Sequence, residues 1–214
     1  MLYDSAENVA DTIGQRPFLF FIGRKEGMPR HKVLTLWSEE QLNEEETRIL
    51  RTPCKEAPVP FDAETVKAIR TLRSAFMERE DAAGLAAPQI GISRRIIAFR
   101  TRNSDEKDPE DRKEDYVILV NPRITQARGE PVVLDEGCLS CPEIRVEISR
   151  FPEIKVRALD AEGRKISKRY LDFPARIVQH EMDHLDGKLI VDYDGAVFVP
   201  KKRQGFFDKF FQSK

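Results

Sequence analysis

Apolar residues recur along this chain with two different periods. Between Asp62 and Arg79 they fall at Val66, Ile69, Leu72 and Phe76, the three-to-four-residue spacing of a helix with one buried face. Asp62 stands just ahead of that run, where a side-chain oxygen caps a helix. A second helix is predicted to start at Asp172, its N-cap, with Pro174 in the first turn and a stop at Gly187. Val178, Met182 and Leu185 form its predicted buried side. Elsewhere the apolar runs are short or alternate. Arg95–Arg100, Tyr116–Val120, Pro152–Asp160, Arg164–Leu171 and Lys188–Tyr193 read as strands. Asp160-Ala161-Glu162-Gly163 joins two of them as a hairpin, Asn121-Pro122 should stop another, and Ile124–Ala127 is a further short candidate.

The ends carry less pattern. In residues 1–48, Pro17–Gly23 and His31–Trp37 are possible strands, and Ser38 is placed to cap a short acidic helix running through Glu46. His31, the lone histidine outside the second helix, reads as a solvated surface residue. Pro53, Pro58 and Pro60 keep 51–61 extended or turning. Residues 100–115 are dense in both charges and read as a solvated loop. In the tail, Phe206, Phe207, Phe210 and Phe211 share one side of a helix among basic residues. That helix either packs on the domain, the commoner outcome, or docks on a ribosome. The fold class expected is α+β, with small, mostly antiparallel sheets around the second helix and a C-terminal helix or tail.

Composition narrows the classes. The 214 residues suit one domain with an appendage, and a net charge of -1 provides no field for a polyanion such as DNA. Cys54, Cys138 and Cys141 make no disulfide framework, so a reducing, cytoplasmic setting is expected. No apolar run approaches the ~20 residues of a membrane span. Phe18–Ile22 is too short and too late for a secretion signal.

The chemistry gathers at Gln179-His180-Glu181-Met182-Asp183-His184. Histidines at i and i+4 share a helix face and reach one cation. Glu181 is turned about 100° from His180, which suits a general base acting on a water at the metal. A catalytic site of this kind has a third protein ligand and an open position. Downstream of His184 there is no histidine or glutamate, only aspartates such as Asp186, Asp192 and Asp194, so a zinc endopeptidase survives only as an aspartate-ligated variant. Upstream stand Cys138 and Cys141. Both together would close a structural zinc site in a non-catalytic binding module, but the distance to His180 is far too long for a compact finger, and Glu181 would have no role. One cysteine ligand is therefore preferred.

Three stretches together resemble the peptide deformylases: Gly84-Leu85-Ala86-Ala87-Pro88-Gln89, Glu136-Gly137-Cys138-Leu139-Ser140, and the histidine motif. The resemblance covers about residues 49–195, with 1–48 an extension of unassigned role, 49–200 the catalytic domain and 201–214 the tail. Where the family's first motif begins Gly-x-Gly, this chain has Ala82-Ala83-Gly84. The resemblance implies Cys138, His180 and His184 as ligands of one divalent metal, ferrous iron natively, with Zn, Ni or Co fitting the same donors. It implies Glu181 as general base, and the Gln89 amide and Leu139 N–H as oxyanion donors. The implied substrates are N-formylmethionyl peptides and nascent chains. Ala83 and Gly84 would lie along the peptide, with Phe173, Arg176 and Ile177 walling the methionine pocket and Arg145 at the substrate backbone. Arg150 and Asp183 are expected to pair and brace the ligand helix.

Overall fold

The structure, a computed structural model, describes residues 31–101 and 116–212. The strand expected at Pro17–Gly23 and nearly all of the charged loop lie outside the described residues. Among those described, no helix is long and apolar enough to cross a membrane.

The first described elements differ from expectation. Ser38 caps no helix. Trp37–Ser38 (β1) and Gln41–Leu42 (β2) form a tiny hairpin instead, turning through Glu39 at φ 52°. The helix starts later, at Glu44–Leu50 (α1), where Glu44, Glu45 and Glu46 in the first turn complement its positive end. His31 is not solvated on all sides: both carboxylate oxygens of Glu78 lie 3.1 Å from its Nδ1. Ala63–Met77 (α2) forms where Asp62 was read as its cap, the Asp62 carboxylate accepting the Thr65 N–H at 2.7 Å. Its core face is Thr65, Ala68, Ile69, Leu72, Ala75 and Phe76. Val66, one position round, stays 37% exposed.

Gly84–Ala86 (β3) leads through a 3-10 turn at Ala87–Ile90 to Ile96–Arg100 (β4). Tyr116–Arg128 (β5) does not stop at Asn121-Pro122. Asn121 takes φ 50°, the ladder shifts register between Val120 and Arg123, and the strand runs on. Asparagine tolerates that left-handed backbone, and its side chain brackets Ala57, donating to the carbonyl and accepting from the N–H, both at 2.8 Å.

Val132–Cys138 (β6) and Cys141–Arg150 (β7) are a hairpin with Leu139-Ser140 at its tip, and β7 has no counterpart among the strands expected from sequence. Glu153–Leu159 (β8) and Lys165–Leu171 (β9) are the hairpin read from sequence. The second predicted helix is Asp172–Leu185 (α3). Its cap position is Leu171, which makes no side-chain bond, rather than Asp172. Asp172 turns at φ 49° and gives its N–H to the Pro152 carbonyl at 2.7 Å. Lys188–Tyr193 is no strand: a 3-10 turn at Ile190–Asp192 forms there because the Asp192 carboxylate accepts the Leu189 N–H. Val197–Phe198 (β10) and Gln204–Gln212 (α4) complete the chain.

All pairings between these strands are antiparallel. Apart from the β1-β2 pair there are two sheets among the described residues, one running β3-β4-β5-β8-β9 and the other β10-β7-β6. Helix α3 packs Ala175, Ile177, Val178 and Leu185 into a core shared with Ile97, Phe99, Leu119 and Val156 of the five-stranded sheet. Met182, expected buried, is half-buried at the edge of that core. The opposite side of α3 faces the β6–β7 hairpin, so the two sheets enclose the helix that carries the histidines. The tail takes the packing alternative. Phe207 is 1% exposed, and Trp37 meets Phe206, Phe207 and Phe210 edge-on at 6.3, 5.2 and 5.1 Å. Burying a ring of that size contributes about 1.5–3 kcal/mol, enough to hold so short a helix on the domain.

Candidate metal centre

Helix α3 places His180 and His184 one turn apart, ring centroids 5.1 Å from each other. The β6–β7 hairpin supplies the third group from the last residue of β6, with Cys138 Sγ 3.3 Å from His184 Nε2. The donor atoms of Cys138, His180 and His184 all lie within 4.8 Å of one another. Cys141, although Cα-paired with Cys138 across the hairpin, is not part of that group. Burial pushes the Cys141 thiol well above its ordinary range, whereas Cys138 is held well below it. Burial opposes that shift, but a hydrogen bond from Cys141 and the nearby His184 outweigh it. Asp186 and Asp192, two of the three rival third ligands, pair instead with Arg95 and Arg51, and none of the three, Asp194 included, belongs to the group of donor atoms. A soft anionic sulfur beside two imidazoles fits a divalent cation of the Zn or Fe(II) type.

His180 is oriented by a residue the sequence reading left without a role of its own. Glu136 Oε2 lies 2.9 Å from His180 Nδ1, which leaves Nε2 for a metal. Glu136 is 7% exposed and also takes Arg150 at 2.9–3.0 Å and Arg176 at 2.7 Å. Burial would raise this carboxyl, yet His180 and Arg150 hold it down at about 2. The expected Arg150–Asp183 pair is present at 2.7 Å, and Tyr193 closes the network with bonds of 2.8 Å to Arg150 and 2.7 Å to Asp183. Glu136 had a sequence signal: it lies two residues before Cys138 on a strand, hence on the same face.

Glu181 is the opposite case. It is 4% exposed, and its Oε2 has no hydrogen-bond partner among the described residues. Burial pushes its carboxyl up to about 7. Gly84 makes room for it, since a Cβ there would sit 2.3 Å from Glu181 Oε1. The Gln89 amide is fixed at both ends, with Oε1 accepting the Ala86 N–H at 2.9 Å and Nε2 donating to Ser140 Oγ at 3.1 Å. Glu181, Gly84 and Gln89 line a cleft open to solvent together with Cys138 and His180.

A sulfur and two imidazoles, a buried carboxylate with one oxygen unpartnered among the described residues, and a fixed amide thus stand close together. The family model for polypeptide deformylase matches residues 40–197. The chain belongs to that family. It is 42% identical to peptide deformylase 1 of Rickettsia conorii over 119 residues, 55% of this chain and 66% of that protein, so the match spans just under two thirds of that relative's length. It is 35% identical to the peptide deformylase of a Synechocystis species, over 74% of this chain and 82% of the relative. Among solved structures, a Synechococcus elongatus peptide deformylase in complex with actinonin aligns with a TM-score of 0.65 at 30% identity, covering 88% and 92% of the two chains. A Met-Ala-Ser-bound peptide deformylase from Acinetobacter baumannii aligns with a TM-score of 0.60 at 31% identity, covering 75% and 99%.

Every residue nominated from sequence as a ligand, base, oxyanion donor or substrate contact lines the cleft except His184, which is buried at 1% exposure. Not all line it in the form expected. The Arg176 guanidinium is engaged by Glu136 and by the Ile148 and Val132 carbonyls, so it braces the wall and only its stem can face a ligand. Arg145 turns its guanidinium to the side chain and carbonyl of Asp135 at the cleft rim. Ile177 is 5% exposed and belongs to the core as well as the wall, and Phe173 packs on that same core. Ala82, at the family's usual glycine, is buried with its carbonyl bonded to Arg100 Nε at 3.1 Å, so the methyl is accommodated.

Proposed function

We propose that this chain hydrolyses the formyl amide of N-formylmethionyl peptides, including nascent chains, releasing formate and a free amino terminus. The observation that carries this reading is the clustering of Cys138, His180 and His184, with the unpaired carboxylate of Glu181 lining the same cleft as Cys138 and His180. The catalytic unit is placed at 49–200, with 201–214 as a packing tail.

Cys138, His180 and His184 would hold one divalent cation, ferrous iron in a reducing environment. When bound, it supplies a Lewis acid that lowers the pKa of water and polarises a carbonyl. The chain's own residues do the rest. Glu181, buried and without a partner on Oε2, accepts the proton of the attacking water and delivers it to the departing amine. The Gln89 amide and the Leu139 N–H receive the charge that develops on the formyl oxygen. Gly84 offers backbone on β3, the terminal strand of its sheet, where an extended peptide adds as a further strand. Phe173, Ile177 and the stem of Arg176 form the wall for the methionine side chain.

Formate release from formyl-Met-Ala-Ser, measured anaerobically with metal analysis on the same preparation, tests the reading. Turnover with about one metal per chain supports it. Cleavage of internal amide bonds without formate release would transfer the chain to the endopeptidases.

A further inference from the structure

Residues 33–37 precede the stretch matched by the family model and carry no metal ligand or base. Their backbone nonetheless ends on both loops that hold the oxyanion donors. The Leu34 N–H donates to the Gln89 carbonyl at 2.7 Å, and the Leu36 N–H to the Ser140 carbonyl at 2.9 Å. Between them, the Thr35 N–H donates in the other direction, to the Glu46 carboxylate at 2.7 Å, as alternation along an extended chain requires. Asn43 Nδ2 fastens the same residue by its carbonyl at 3.1 Å and its hydroxyl at 2.9 Å. The far end is pinned by Trp37, whose Nε1 donates to the Pro142 carbonyl at 3.2 Å under the rings of α4.

One more bond joins the two loops to each other. Because Gln89 Oε1 accepts the Ala86 N–H, the amide has one orientation and Nε2 is the donor. One Nε2 hydrogen goes to Ser140 Oγ, which is fully buried and shielded from competing water. The other is directed at Cys138 Sγ over a long 4.0 Å contact, the weak bond that an oxygen acceptor in the cleft would replace. An oxyanion donor is effective only when held in place before the reaction begins.

We infer that Leu34–Leu36 form a strap that sets the spacing of Gln89 from the Leu139-Ser140 turn, and that Ser140 aims the Gln89 amide, making these positioning residues for the oxyanion donors. The inference rests on the deformylase reading. It gives the amino-terminal segment a task that the motifs alone do not reveal.

The test uses the whole 214-residue chain, zinc-loaded, and three variants. N43A/E46A removes the fastenings of Thr35 without touching the cleft, and N43A/E46Q restores an acceptor. Ser140→Ala removes the aim of Gln89. With formyl-Met-Ala-Ser, kcat should fall about tenfold in N43A/E46A and more in Ser140→Ala, at unchanged KM and metal content. N43A/E46Q should recover most of the loss. Independently, hydrogen exchange read by NMR should show one protected Gln89 side-chain proton in the parent and at least roughly tenfold less protection in both alanine variants. Faster exchange at the Leu34 and Leu36 amides with Gln89 protection and kcat intact would overturn the strap. So would a loss confined to KM or to metal content. Should the parent release no formate, the deformylase reading fails, while exchange at Gln89 still decides the strap.

Discussion

Glu136 and Glu181 flank the same histidine from two sides and are built to opposite ends. On the β6 side, Glu136 is buried among His180, Arg150 and Arg176 and held ionised. On the β3 side, Glu181 is just as buried, has an oxygen without a partner, and titrates near 7. Both carboxylates pay desolvation, and only one recovers it in charged bonds. The one that recovers it cannot move a proton near neutrality, so its part is to orient His180. The one that does not is left poised for proton transfer.

The comparison breaks most sharply at Glu181. Glu181→Gln keeps the size and removes the base, so turnover should fall about 10²–10⁴-fold with metal retained, as read by formate release beside metal analysis. Gly84→Ala attacks the same side through space. The new Cβ meets Glu181 Oε1 at 2.3 Å, and displacing that carboxylate should lower kcat about 10²-fold without releasing the metal. On the other side the currency changes. Glu136→Ala should weaken metal binding about 10–100-fold in a chelator competition and cost about 3–5 kcal/mol in denaturant unfolding, since Arg150 and Arg176 lose their shared carboxylate. The smallest effect belongs to Cys141→Ser, which should keep one metal per chain and most of the activity. Metal loss equal to that of Cys138→Ser would mean that the centre is closed by two sulfurs, and Glu181 would lose its standing as a base.

Legibility followed the range of the interaction. The helix at 62–77 announced itself through Asp62 and a repeating apolar face, and the 153–171 hairpin through Asp160–Gly163. The errors fell where a distant partner overrode a local signal. Asn121-Pro122 looks like a stop until Ala57 takes both ends of the Asn121 amide. Asp172 looks like a cap until Pro152 claims its N–H and turns it to φ 49°. The β7 strand did have a readable alternation at Ile144, Val146, Ile148 and Arg150, all buried, and its final arginine disguised it as a polar end.

From its own order of residues, the chain settled that His180 and His184 share a helix face and that Glu181 does not, and it favoured a cysteine over an aspartate as the third donor. Helical geometry makes those relations local. Tertiary structure gathered Cys138, which the motif resemblance had singled out, and not Cys141 with the two histidines, and it alone joined Glu136 to His180 across 44 positions and brought Leu34 and Leu36 onto the loops of Gln89 and Ser140. Those choices depend on how two sheets close around one helix, and no spacing within a single segment encodes that closure.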